Sequence, residues 1–167
     1  MFVGSIFDQN IGRWDVSNVT EMSGMFDTNM DFNQDICGWD VSSVTGMSWM
    51  FDEAFSFNQD IGGWDVSSVT DMMGMFEETY DFDQYIGGWD VSSVTDMSWM
   101  YFFAISYNQD IGDWDISSVT KMSGMFAWAS DFNQDLSNWC VTNITSKPNL
   151  FDSNSSLTST SLPVWGS

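Results

Sequence analysis

Six tryptophans recur at intervals of 25 residues without an insertion or a deletion. A fixed period of this length is typical of repeat architectures, in which each unit buries its apolar side against its neighbours. Variants of one phrase, I-x-x-W-D-V-S-S-V-T-x-M-x-x-M-F, surround each tryptophan. The chain is therefore predicted to stack six coils, which begin at Ile11, Ile36, Ile61, Ile86, Ile111 and Leu136.

The spacing within the phrase predicts the shape of one coil. The pattern I-x-x-W-x-V matches the core of a leucine-rich repeat, which has one short parallel β-strand per unit. In such a strand Trp39 and Val41 point inward and Asp40 points outward. The apolar residues that follow, three and four apart, predict a short helix or 3₁₀ turn capped by Thr45 and Ser48. The predicted fold class is a leucine-rich-repeat-like solenoid.

The last part of the chain departs from the repeat. Lys147 and Pro148 interrupt the methionine column, and the residues after Phe151 are rich in serine and threonine. We therefore predict a six-coil domain over residues 1–151 and a cap or exit tail over residues 152–167.

The charge balance excludes several classes of function. The chain carries 24 acidic and three basic residues, a net charge of −21, and no histidine. Nucleic acid and anionic membranes attract basic surfaces, so neither is an expected partner. The absence of histidine removes imidazole general bases and the commonest zinc ligand. No apolar run is long enough for insertion into a membrane.

Two stretches carry a family resemblance: WDVSNVTEMSGMF at residues 14–26 and FNQDIGGWDVSSVTDM at residues 57–72. Both resemble the repeat of the BspA-like leucine-rich-repeat surface proteins, which is also related to repeats of mycoplasma surface lipoproteins. The resemblance covers about residues 5–151. It implies an extracellular or cell-surface location with an adhesive or structural role, and it brings no catalytic residues.

One aspartate follows the tryptophan in each of the first five coils. Carboxylates one coil apart repel each other, so something must offset the repulsion. Bound Ca²⁺, which takes oxygen ligands, would do so. The alternative is that each aspartate accepts hydrogen bonds from the following Ser-Ser turn. The column consists of Asp15, Asp40, Asp65, Asp90 and Asp115.

A second set of positions breaks the repeat and becomes aromatic. Glycine and tryptophan alternate along one column, from Gly24 to Gly124, and acidic positions of the early coils are apolar in the fourth and fifth. Exposed aromatic patches mark interfaces, although these rings could also fold into gaps beside the glycines. The candidate interface residues are Trp49, Trp99, Tyr101, Phe102, Phe103, Ile105 and Trp128.

Smaller signals concern modification. Asn18, Asn143 and Asn154 each begin an N-x-Ser/Thr triplet, the acceptor for N-linked glycans in secreted proteins. Cys37 and Cys140 lie four coils apart, too far for an intrachain disulfide, so they are predicted to be free or paired between chains.

These features together favour a non-enzymatic extracellular structural or interaction protein. Its acidic groups recur in every coil, whereas catalysis requires one distinct environment, so a two-carboxylate glycosidase is disfavoured. The leading prediction is self-assembly into filaments through the aromatic patch and the coil ends, with the chain itself or another surface protein as partner. The alternative is an adhesion module that binds a glycan or Ca²⁺, the one cofactor that the sequence suggests.

Overall fold

The computed structural model describes residues 2–166, which form a stack of coils built from tight turns. None of these residues lies in a helix. Their β-pairing is confined to isolated parallel bridges that join Glu21, Gly46, Asp71, Asp96 and Lys121 in succession. The predicted leucine-rich-repeat-like solenoid, with a strand and a helical segment in each coil, is therefore wrong. No helix long and apolar enough to cross a membrane occurs in this range.

The three-residue spacing of the apolar positions reflects β-turns. The Trp39 amide donates to the Ile36 carbonyl at 3.1 Å, and the Met50 amide donates to the Met47 carbonyl at 3.2 Å. Such bonds between the first and fourth residues close β-turns. Apolar residues at both ends of a turn can point to the same side, so a row of turns gives the spacing that was interpreted as helical. Trp39 and Val41 are buried and Asp40 is exposed, as the sequence indicated.

The predicted helix caps have other roles. The amide and the hydroxyl of Thr45 both donate to the Thr20 carbonyl of the preceding coil, at 2.8 and 3.1 Å. The same bonds recur at Thr70, Thr95 and Thr120, so the threonine column joins successive coils. The Ser48 hydroxyl is buried and lies 2.9 Å from that of Ser23.

Two aromatic columns and the methionines fill the core. Successive rings of one column stack across coils, with centroids 5.6 Å apart for Phe26 and Phe51. The tryptophans pack beside them, and the Trp39 indole N–H donates to the Ile11 carbonyl at 3.1 Å. This bond recurs in each following coil through Trp139. A stack of this kind buries one continuous core, and each coil serves as the template for the next.

The segment after Phe151 packs back onto the stack. The Leu136 amide donates to the Ser161 carbonyl at 2.8 Å, and the Trp128 amide donates to the Ser153 carbonyl at 2.7 Å. The Trp165 ring meets Phe151 edge to face at 5.1 Å. These contacts cover part of the core at this end of the stack.

Candidate functional site

One lateral edge of the stack holds most of the sequence variation. In each of the first five coils this edge contains two positions with positive φ, separated by four residues. The first position is occupied by Gly24, Trp49, Gly74, Trp99 and Gly124, and the second by Thr28, Glu53, Glu78, Phe103 and Trp128. A non-glycine residue in this conformation costs roughly 1–2 kcal/mol. Positive φ at bulky aromatic residues indicates backbone strain, and such strain is concentrated at functional sites.

The glycine and tryptophan alternation is a packing arrangement between neighbouring coils. A Cβ atom at Gly74 would lie 2.5 Å from the Trp49 indole, and one at Gly124 would lie 2.4 Å from the Trp99 ring. Each indole therefore lies against the glycine of the next coil. These two rings therefore fold into gaps beside the glycines, which was the alternative interpretation of the sequence. Trp49 nevertheless remains 36% exposed, and Trp99 is half-buried.

The first half of the edge, here called the acidic half, holds Asp27, Asp52, Glu53, Glu77 and Glu78. Burial raises the pKa of Asp52 to about 7, and repulsion from Glu77 and Asp27 adds to the shift. Burial also raises the pKa of Glu77 to about 7, together with repulsion from Glu78, although a hydrogen bond from the Trp49 side chain opposes the rise. These carboxyl groups therefore titrate near neutrality.

The second half of the edge, here called the aromatic half, holds Phe102, Phe103, Ile105 and Trp128. The Phe103 and Trp128 rings stack with centroids 5.1 Å apart and an interplanar angle of 4°. Phe102 meets Phe103 edge to face at 4.7 Å. Trp128 remains 46% exposed and Ile105 39% exposed. Three of the predicted interface residues, Phe102, Phe103 and Trp128, thus pack together at the surface, and Ile105 is exposed two residues after Phe103.

Tyr101 does not belong to this surface, so its assignment as an interface residue is wrong. It is fully buried, and its ring stacks on that of Tyr107 with centroids 4.2 Å apart. Both residues replace phenylalanines of the other coils. Both hydroxyl groups are buried, and neither has a hydrogen-bond partner. Two matched substitutions in one coil therefore place a polar pair inside the core.

A groove marks the boundary between the two halves. It is lined by Trp49, Met73, Glu77, Trp99 and Phe102. The Trp99 and Phe102 rings meet edge to face at 5.1 Å and form one wall. Glu77 and Met73 were not identified from the sequence as residues of this groove. A signal was available, because Gly74, which is close to both in sequence, lies one repeat after Trp49 and packs against its indole.

The aspartate column lies elsewhere, and its side chains form Asx turns. The Asp40 carboxylate accepts hydrogen bonds from the Ser42 amide at 3.1 Å and the Ser42 hydroxyl at 2.6 Å. These two bonds lower the pKa of Asp40. The same bonds lower the pKa values of Asp15, Asp65, Asp90 and Asp115. Within residues 2–166 no group of three or more acidic or cysteine side chains is arranged to hold a metal ion.

The candidate modification residues are spread over the surface. Asn18, Asn143 and Asn154 are all exposed, and the Asn143 amide donates to the Ser117 carbonyl at 2.6 Å. Cys37 and Cys140 are exposed free thiols. A hydrogen bond from the Cys37 side chain to Asp35 raises the pKa of the thiol, which disfavours the reactive thiolate.

Comparison with known proteins identifies one family. Its profile matches residues 1–72 and, in a second overlapping match, residues 56–165, and the family is described as "Mycoplasma protein of unknown function, DUF285". No curated protein matches the chain, and no solved structure does.

Proposed function

Since this chain belongs to the DUF285 family, for which no function is defined, we propose a role from the surface of the molecule itself. The protein acts as a non-enzymatic structural and interaction module of the cell exterior, similar to the BspA-like surface proteins. Copies of the chain associate with one another through the aromatic half of the edge.

The observation that supports this proposal is the stack of the exposed Trp128 ring on the half-buried Phe103 ring at the surface. Both residues hold a positive φ, of 54° and 63°, where the equivalent residues of coils 2 and 3 are glutamates. Large rings in a strained conformation at the surface contribute little to the core, and aromatic residues dominate the energetics of interfaces. Apolar surface in an otherwise acidic chain needs a partner to cover it.

A second copy of the chain suits this surface. In the aromatic half, neither of the two columns with positive φ contains a carboxylate. Two copies that meet there keep their acidic halves apart. The net charge of −21 still opposes association at long range, and salt screens this repulsion. Association is therefore expected to strengthen as the salt concentration rises, the reverse of an interface built from ion pairs.

Sedimentation and light scattering of the purified chain test the proposal. The double variant F103N/W128N removes both rings, and asparagine tolerates positive φ better than most residues, so the fold is retained. We expect concentration-dependent association of the native chain and a monomeric variant. Negative-stain images then separate a closed dimer from a filament, which requires a contact between two different surfaces.

The variant E53N/E78N is the matched control. It makes the same type of change at the same backbone position in coils 2 and 3, where no aromatic surface is lost. We expect it to associate as well as the native chain or better, since two negative charges are removed. A native chain that stays monomeric at all salt concentrations would refute self-association.

A further inference from the structure

The groove at the boundary of the two halves combines aromatic walls with a carboxylate. Trp49 forms one side, Trp99 and Phe102 form the other, and Glu77 lies between them. Glu77 lies close enough to the Trp49 side chain for Trp49 to lower its pKa, and both line the groove together with Trp99. Asp52, Glu53 and Glu78 add negative charge close to Glu77. The groove is thus apolar, and it becomes strongly acidic once the pH exceeds the pKa of about 7 that Asp52 and Glu77 share.

No basic side chain of the described residues 2–166 neutralises this charge by an ion pair. Lys121 pairs with Asp96 at 3.1 Å and Lys147 with Asp152 at 2.7 Å. The third basic residue, Arg13, lies beside Asp35 and Cys37 in the first turn of coil 1. The carboxyl groups of the edge repel one another, so a cation that enters the groove relieves this repulsion.

We propose that the groove binds a cationic side chain, arginine above all, presented by a basic segment of a partner protein. The guanidinium group is planar, stacks on aromatic faces and donates hydrogen bonds to carboxylates. Both of these interactions are offered by Trp49, Trp99 and Glu77. The inference rests on the proposed role of this edge as an interaction surface and names the chemistry of a second partner.

A different protein suits the groove better than a second copy of the chain. Each copy offers three basic residues against 24 acidic ones, and two of the three are already paired. A basic partner, by contrast, is attracted to the acidic half over the whole approach, which accelerates association at low salt. Binding in the groove and self-association should therefore respond to salt in opposite directions.

The test uses a peptide of alternating glycine and arginine, with the same peptide carrying citrulline in place of arginine as the neutral control. Indole N–H signals in nitrogen–proton NMR spectra report on the site. We expect a saturable shift of the Trp49 and Trp99 signals with the arginine peptide, and no shift with the citrulline peptide. The buried indoles of Trp39, Trp64 and Trp89 should not respond.

Variants separate the groove from general attraction to an acidic protein. At pH 8, above the pKa of about 7 of Glu77, Glu77→Gln should weaken binding roughly tenfold or more, because it removes a charged acceptor. Trp99→Gly should also weaken it, and glycine occupies the same backbone position in coils 1, 3 and 5. Asp31→Asn removes one charge from an exposed site in coil 1 and should have little effect.

Two results would overturn the proposal. One is a loss of affinity in Asp31→Asn as large as that in Glu77→Gln, which would indicate diffuse attraction. The other is the absence of a shift at Trp49 and Trp99. Neither result bears on self-association, which F103N/W128N tests at different residues. Failure of the groove and failure of the proposed function can therefore be told apart.

Discussion

The acidic and aromatic halves of one edge share a backbone but differ in chemistry. Glu53 and Glu78 hold the same positive φ as Phe103 and Trp128, and all four lie in the same column. In the acidic half the pKa values of Asp52 and Glu77 are raised to about 7, whereas in the aromatic half an exposed Trp128 stacks on a half-buried Phe103. The repeat therefore supplies a constant frame, and the residues at its turns set the chemistry of each coil.

The largest effect is expected from an alanine at Gly124. Both Gly24 and Gly124 have positive φ, so alanine costs roughly 1 kcal/mol at either position. At Gly124 the new Cβ also meets the Trp99 ring at 2.4 Å, whereas at Gly24 the nearest atom is 3.8 Å away. We expect Gly124→Ala to lower the free energy of unfolding by about 1–2 kcal/mol more than Gly24→Ala.

Chemical denaturation of both variants measures that difference. Gly74→Ala adds the acidic half to the comparison, because its Cβ would meet Trp49 at 2.5 Å. Equal destabilisation at Gly24 and Gly124 would mean that Trp99 leaves its place at no cost, and that the alternation of glycine and tryptophan does not hold the edge together.

The next effect concerns the polar pair inside coil 4. Tyr101→Phe and Tyr107→Phe each remove a buried hydroxyl that has no hydrogen-bond partner, so each should stabilise the protein by about 1 kcal/mol. The double variant Y101F/Y107F restores the pattern of the other coils and should be the most stable of the three. Chemical denaturation of both single variants and the double variant measures these effects and their coupling energy. Destabilisation by either single substitution would indicate that the two hydroxyl groups bond to each other.

The acidic half should make stability depend on pH. The pKa values of Asp52 and Glu77 are raised to about 7 in the folded chain, so the folded state binds more protons than the unfolded state between about pH 4 and 7. Stability should therefore fall as the pH rises through this range. The melting temperature should be higher at pH 5 than at pH 8.

The variant D52N/E77Q should flatten that dependence. D31N/D81N removes the same number of charges from exposed positions and serves as the control. A native chain whose melting temperature rises from pH 5 to pH 8 would contradict the burial of these carboxyl groups.

The smallest effect is expected from the addition of calcium. The aspartate column, which is the candidate calcium site, does not differ between the coils of the acidic half and those of the aromatic half. Each of these carboxylates already accepts hydrogen bonds within its own turn, as Asp65 does from the Ser67 amide at 3.1 Å. We expect millimolar Ca²⁺ to leave the melting temperature unchanged. A rise that the variant D40N/D65N reduces would revive the cation site.

Much of the packing could be predicted from the period alone. Columns of tryptophan and methionine at 25-residue spacing had to be buried in a stack, and Trp39, Met47 and Met50 are. The indole N–H groups of such a column require acceptors, and the carbonyls of the preceding coil provide them. Packing follows from the pattern because each coil repeats the contacts of the one before.

The conformation of each coil could not be predicted in the same way. Apolar residues three apart fit a short helix and a row of β-turns equally well, since both bring every third residue towards one side. The difference lies in hydrogen bonds between coils: the Trp49, Phe51 and Glu53 amides donate to carbonyls of the next coil. A donor used between coils is not available to a helix, and the sequence of one coil does not reveal that competition.

The sequence by itself determined the period, the buried columns and the charge of −21, because these depend on residue identity and spacing alone. Only the tertiary structure decided that Tyr101 faces Tyr107 inside the core while Phe103 and Trp128 remain outside. Phe103 lies only two residues after Tyr101, but it holds a positive φ and Tyr101 does not. The side on which a ring lies follows from the backbone that the neighbouring coils impose.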